Sequence, residues 1–307
     1  MRSKSMSIQK ELYMRSALPP ARSCYTTQSC TVLPMLELAH MQTELVMMSD
    51  FVDRRVTRRR FGMTASGALI SSLFSSACSA QSKSGAGRDG RLGSRPGTGV
   101  TTAAVSGVLG LSTGRDATLQ LPSNPPSGPM PLLLLLHGAG QSGATMLRRM
   151  GAAADEAGVA VLAPDSRGAT WDAIRGEFGE DVTFIDRALH HVFARVTVDA
   201  ARVIVGGFSD GASYALSLGL ANGDLFPRVA AFSPGFVISA AVHGRPRFFV
   251  SHGTADPILP IDQCSRVIVP RLRSMGYEVT FREFDGRHEV PPDVAREGMR
   301  WMAATTA

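Results

Sequence analysis

The 307-residue chain has only four cysteines, and three of them (Cys24, Cys30 and Cys78) lie within its first 80 residues. Cys264 is then alone in the region that reads as a folded domain, which excludes an intradomain disulfide. It falls in a helical pattern and reads as a small buried residue rather than a reactive one. A long hydrophobic run is also missing. The most apolar charge-free stretch, Gly62 to Ala80, is rich in Ala, Ser and Gly and is too short and too polar to cross a membrane. An excess of one charge is missing from the putative domain as well. Residues 1 to 81 hold 10 Lys+Arg against 5 Asp+Glu, leaving 22 against 21 for the remainder, so the net charge of +6 gives no basis for nucleic-acid binding. No internal repeat is visible.

What is present in the first third reads as an address rather than a fold. Residues 1 to 46 show no clear periodicity, and the pattern suggests a start at Met41, Met47 or Met48. Residues 47 to 80 then read as an export signal. Arg54-Arg55-Val56-Thr57-Arg58-Arg59-Arg60-Phe61 forms a positive segment, followed by the modest apolar stretch and a small-residue end. Thr57 to Phe61 resembles the twin-arginine pattern, whose route carries folded proteins. Ser76-Ala77-Cys78 makes Cys78 a candidate lipid-attachment site, with simple cleavage near Ala80 as the alternative; the expected location is periplasmic or extracellular. Residues 81 to 98, rich in Gly, Ser and Arg, read as a disordered linker, and the domain is expected over 99 to 307.

The domain alternates strand and helix. Val105 to Leu111 and Ala117 to Leu121 suit an antiparallel pair, and the prolines of 122 to 131 then interrupt any ladder. Short apolar or β-rich runs at 132–136, 159–163, 202–206, 229–232, 248–251 and 279–284 suit strands buried on both faces. Helical patterns fall near 142–157, 180–195, 211–222, 261–276 and 291–304. This predicts an α/β fold, a mostly parallel sheet with helices on both faces. The link between the runs at 229–232 and 248–251 is too short for a large lid domain.

One stretch organises the rest. Val203-Ile204-Val205 leads into Gly207-Phe208-Ser209-Asp210-Gly211 and then a helical segment, a strand, tight turn and helix around G-x-S-x-G. Glycine is needed on both sides because strand and helix pass so close that a Cβ would clash. Ser209 is thereby lifted out of the turn as a candidate nucleophile at a helix N-terminus.

Its partners are expected at the carboxyl ends of the strands. After 132–136 comes His137-Gly138-Ala139-Gly140, where a glycine-rich turn can present the Ala139 N–H beside that of Asp210 as an oxyanion hole. His137 is expected to support this loop, with Gly138 lining the pocket. After 248–251 comes His252-Gly253-Thr254-Ala255-Asp256-Pro257. Asp256 on a stiffened loop is the candidate acid, Asp262 is its rival at a helix start, and His252 reads as structural. After 279–284 comes Asp285-Gly286-Arg287-His288, with His288 the candidate general base. His190, His191 and His243 read as surface residues. Trp171 is a candidate pocket wall, and Arg148-Arg149 reads as a solvated helix face.

On the residues 136–140, 207–214, 252–256 and 286–288, the chain resembles the α/β-hydrolases of the phospholipase/carboxylesterase group, with likeness to dienelactone hydrolases and polyhydroxybutyrate depolymerase-like esterases. The resemblance implies hydrolysis of small-molecule carboxylic esters through a serine acyl-enzyme, with no metal and no organic cofactor. It departs from some members at Arg287, where they carry glycine. The expectation is a serine esterase for short-acyl or aryl esters. An amide or peptide hydrolase on the same residues and a non-catalytic binding module are the other readings.

Overall fold

The computed structural model describes residues 88–97, 104–238 and 241–305. The unassigned leader, the export signal and the candidate lipid site Cys78 lie outside the described residues. The described residues all belong to one compact unit.

The unit is built on one eight-stranded sheet in the order β1-β2-β4-β3-β5-β6-β7-β8. Its strands are β1 (Gly107–Val108), β2 (Ala117–Gln120), β3 (Met130–Leu136), β4 (Ala160–Pro164), β5 (Val198–Phe208), β6 (Arg228–Phe232), β7 (Arg247–Gly253) and β8 (Val279–Phe284). The first two pair antiparallel, β2 runs antiparallel to β4, and β3 to β8 are parallel throughout. The expected strands are all found. The first shrinks to two residues, because Val105 and Val108 are exposed and bury nothing that would hold a longer ladder.

Six helices follow in chain order: α1 (Gly143–Glu156), α2 (Asp172–Arg175), α3 (Glu180–Phe193), α4 (Asp210–Ala221), α5 (Ser265–Ser274) and α6 (Pro292–Ala303). The period-2 rule of a strand divides the core. Leu132, Leu134 and Leu136 of β3 pack with side chains of α3, α4 and α5. Leu133 and Leu135 pack on the other face with Met146, Met150 and Ala154 of α1 and Val294, Met299 and Met302 of α6. The four-residue α2 has no counterpart in the periodicity, since one turn is too short to show a period.

Every residue of α4 is buried. A helix apolar on all sides needs a cover on the side away from the sheet, and part of it comes from residues 88–97. Over residues 88–97 this corrects the expected disordered linker. Leu92 enters the core. Asn222, just past the end of α4, donates to Gly90 O at 2.7 Å and accepts the Leu92 N–H at 2.8 Å. Arg91 donates to Ala221 O at the carboxyl end of the helix and, with Arg95, pairs with Asp224. Leu92 is a single apolar residue among Gly, Ser and Arg, so composition conceals what its burial fixes.

The link from β6 to β7 runs over residues 233–246. The chain order reverses at β3: β4 lies on one side of it, and the next connection crosses back to β5 on the other. Ligands of open parallel sheets bind at such a switch point, beyond the carboxyl ends of the strands.

Candidate active site

At that switch point β5 turns directly into α4 through Ser209, whose φ of 58° and ψ of −122° leave the ordinary regions for a side-chain-bearing residue. The glycines enforce the turn. A Cβ at Gly211 would stand 2.6 Å from His137 O and closer still to Leu136 O; one at Gly207 would run into the Gly211 carbonyl and stand 2.8 Å from Leu136 O. Strand β3, the turn and the first turn of α4 are therefore in backbone contact. The Ser209 N–H is tied to Phe232 O at 3.0 Å, which anchors the turn to β6.

Three side chains from the ends of β5, β7 and β8 meet here. Ser209 Oγ lies 2.9 Å from His288 Nε2, and His288 Nδ1 lies 2.6 Å from Asp256 Oδ2. The other Asp256 oxygen accepts the N–H groups of Ile258 and Leu259 at 2.8 and 2.9 Å. One oxygen is thus committed to its own loop and the other to the His288 imidazole, with His252 Nε2 3.2 Å from that second oxygen. The ring of Phe208 stacks on that of His288 with centroids 4.8 Å apart, and the Arg149 guanidinium lies 4.5 Å from the Phe208 centroid. Arg148 bonds only to Thr145 of its own helix, as a solvated face does. Arg149 is exposed as well, and its guanidinium in addition covers the Phe208 ring.

The rival Asp262 is exposed and paired with Arg266, away from this cluster. His252 is fully buried. Its Nδ1 lies 2.7 Å from Ser265 Oγ and its Nε2 2.7 Å from Leu259 O, and burial lowers its pKa; it braces the Asp256 loop as a neutral ring. His190 and His243 are exposed and His191 is half-buried on α3. Cys264 is buried, and that burial raises its thiol pKa.

On the other side of Ser209, Gly138 is packed so closely that a Cβ there would stand 3.2 Å from Ser209 Cβ. The N–H groups of Ala139 and Asp210 donate to no acceptor among the described residues. The peptide between Gly138 and Ala139 is trans. Gly138 O points to His137 Nδ1 at 2.8 Å and accepts the Gln141 N–H at 3.1 Å, so the Ala139 N–H points the opposite way.

Trp171 does not form a pocket wall. It is wholly buried, its indole N–H donates to His137 O at 2.8 Å, and its ring packs between His137 and Tyr214. A large aromatic with a polar atom is held more firmly where both its ring and its N–H find partners.

One side chain escaped the sequence reading. The Asp210 carboxyl is buried beside Ser209 and accepts the Thr170 hydroxyl at Oδ2, 2.6 Å away. Its burial raises its pKa, opposed by the Thr170 bond and by the charge of His288. Thr170 lies 40 residues upstream in the loop after β4, and nothing local in sequence signals that pairing.

Parallel sheet, nucleophile turn and strand-end cluster together define the α/β-hydrolase fold. Residues 173–302, which include Ser209, Asp256 and His288 but not the 137–141 turn, match the Phospholipase/Carboxylesterase family. A protein of Nocardia uniformis subsp. tsuyamanensis named "Putative esterase NocK" is 33% identical over 188 residues, 56% of this chain. The chain spans about half of that relative, 53% of its length. Among solved structures, the S-formylglutathione hydrolase of Staphylococcus aureus superposes with a TM-score of 0.50 at 15% identity, over 62% of this chain and 93% of that one. A phospholipase/carboxylesterase from Dyadobacter fermentans gives 0.49 at 18% identity, over 66% and 100%.

Proposed function

We propose that the protein is a serine hydrolase of carboxylic esters. The observation that carries this reading is the continuous Ser209–His288–Asp256 hydrogen-bond chain, 2.9 and 2.6 Å per link, at the end of the parallel sheet. Ser209 Oγ attacks the ester carbonyl while His288 Nε2 takes its proton. The resulting tetrahedral oxyanion lies between the N–H groups of Ala139 and Asp210, which have no acceptor to give up among the described residues. Asp256 holds the proton on His288 Nδ1 and balances the imidazolium charge. Collapse expels the alcohol with the proton from His288, and a water activated by the same ring then releases the acid from the acyl-enzyme.

The substrate reading is a soluble short-acyl or aryl ester. The support for it is the brevity of the β6–β7 link, which leaves little chain to cover a long acyl group. Export of the folded enzyme belongs to the same proposal and rests on the twin-arginine pattern alone. N-terminal sequencing of protein secreted by its host tests that part.

The function is tested by rates on p-nitrophenyl esters from acetate to palmitate, for the wild-type chain and Ser209→Ala. Turnover that depends on Ser209 and declines beyond short acyl groups is expected. Near wild-type rates in Ser209→Ala would remove the nucleophile, and rates that rise toward palmitate would remove the short-ester reading.

A further inference from the structure

The oxyanion turn is held by a residue that no motif contains. We infer that Arg115, on the turn between β1 and β2, is a positioning residue for the Ala139 N–H and acts through the tautomer of His137. The inference rests on the esterase reading only insofar as Ala139 serves the oxyanion.

Arg115 reaches three residues on two segments of chain at once. Its Nε donates to Ser166 O, and its Nη2 lies 3.2 Å from Gln141 O, 3.2 Å from Ser166 Oγ and 3.3 Å from His137 Nε2. The guanidinium is a rigid planar donor, so these contacts fix the loop after β4 against the turn after β3. Its own carbonyl is held by Arg167 at 2.8 Å, which keeps the Arg115 backbone in place.

The consequence passes through a proton. His137 Nε2 accepts the Ser166 N–H at 2.9 Å and faces Arg115 Nη2, so two donors converge on it. A proton on Nε2 would oppose both. The imidazole therefore keeps its single proton on Nδ1, where it is donated to Gly138 O at 2.8 Å. Burial, assisted by the Arg115 charge, lowers the pKa of His137 and keeps the ring neutral. With Gly138 O held on that side, the trans peptide directs the Ala139 N–H to the other. The order of control is Arg115, then His137 tautomer, then peptide plane, then oxyanion donor. None of these steps touches substrate before Ala139.

Loss of the guanidinium frees Ser166 O and Gln141 O and leaves the Ser166 N–H as the one donor of the pair still on His137 Nε2, so the bias against the second tautomer weakens and the peptide is turned part of the time. Misplacing one oxyanion donor should lower kcat by about 10- to 100-fold and leave KM within about twofold, because the donor is used most in the transition state.

The test compares wild type, Arg115→Gln and Arg115→Lys. It measures kcat and KM on p-nitrophenyl acetate, inhibition by a short trifluoromethyl ketone, and the His137 ring protons by nitrogen-edited NMR. Wild type is expected to show one His137 tautomer, protonated at Nδ1. In Arg115→Gln, ketone affinity should weaken by the same factor as kcat/KM while melting stays cooperative, and Arg115→Lys should recover part of both. If Arg115→Gln does not fold, the lysine variant and the wild-type tautomer carry the test alone. An Nδ1 proton absent from wild-type His137, or a fall in kcat without weaker ketone binding, would overturn the inference. The tautomer is read without any ester, so an inactive wild type would count against the esterase reading and leave this result standing.

Discussion

Asp256→Asn separates the geometry of the site from its chemistry. Asparagine has the shape of aspartate, and its amide oxygen can keep the N–H groups of Ile258 and Leu259 that Asp256 Oδ1 accepts. The amide nitrogen then falls where Oδ2 stands, 2.6 Å from His288 Nδ1. A donor at that point requires an unprotonated Nδ1, so the ring proton moves to Nε2 and faces Ser209 Oγ. The general base is then blocked by its own proton. By the reasoning for a triad with the wrong tautomer, kcat should fall about 10⁴-fold, or about 5.5 kcal/mol in activation free energy. Stability should fall far less. The new N–H also approaches His252 Nε2, which lies 3.2 Å from the same oxygen and already donates to Leu259 O; one strained buried hydrogen bond costs about 1–2 kcal/mol. The assay is kcat on p-nitrophenyl acetate with urea unfolding in parallel, and Asp262→Asn as the comparison. Asp262 is exposed and paired only with Arg266, so its variant should retain full activity. A loss of less than tenfold in Asp256→Asn, or a large loss in Asp262→Asn, would refute the assignment of the acid.

Gly207→Ala should lose more than about 3 kcal/mol by urea unfolding, because the added methyl meets backbone carbonyls of Gly211 and Leu136 that cannot withdraw. A chain beginning at residue 99 should melt about 10 °C below one beginning at residue 88, since it lacks Leu92 and leaves Asn222 without Gly90 and Leu92. Leu92→Ala alone should cost about 2–3 kcal/mol by the same measurement. Burial raises the Asp181 carboxyl from 3.8 to about 6, against the N–H groups of Arg167 and Asp172 that favour its ionised form. A raised carboxyl favours the folded state only while protonated, so its contribution is present below about pH 3.8 and is lost as pH rises to about 6. The stability of wild type minus that of Asp181→Asn should therefore fall by roughly 3 kcal/mol between pH 3.5 and 7, and a flat difference would refute the shift.

Much of the site could be read from sequence because its parts are local. The nucleophile turn is written in five consecutive residues, and its glycines are required by backbone contacts that any strand-to-helix turn this tight must make. Asp256 and His288 could be found because a parallel sheet brings the ends of its strands to one edge, so position after a strand substitutes for position in space. What sequence did not reveal depends on contacts between distant segments. Thr170 to Asp210, Arg115 to His137 and Ser166, and Gly90 to Asn222 span 22 to 132 residues, and each is a pairing of ordinary polar groups. Trp171 was legible as a residue near the site and illegible as to its direction, which His137 O and Tyr214 decide.

The same distant contacts explain how the strained Ser209 is maintained. A non-glycine residue at φ 58° and ψ −122° costs about 1–3 kcal/mol, and it persists only where the surroundings leave no cheaper arrangement. Relaxing Ser209 would require α4 to move relative to β5. That movement is opposed by the Gly207 and Gly211 contacts at one end of the turn and by Ser213 and Ser217, whose hydroxyls accept the N–H groups of Gly235 and Ile238 along the helix. At the far end Asn222 and Ala221 are fastened to residues 90 and 91. The segment at 88–97 is remote in sequence from Ser209, Asp256 and His288, yet it helps cover the helix that begins just after Ser209. A truncation there should therefore lower kcat as well as Tm: once α4 can shift, the strain at Ser209 is released into the orientation of Oγ. Equal kcat in the two chain lengths at a temperature where both are folded would show that the turn alone holds the serine.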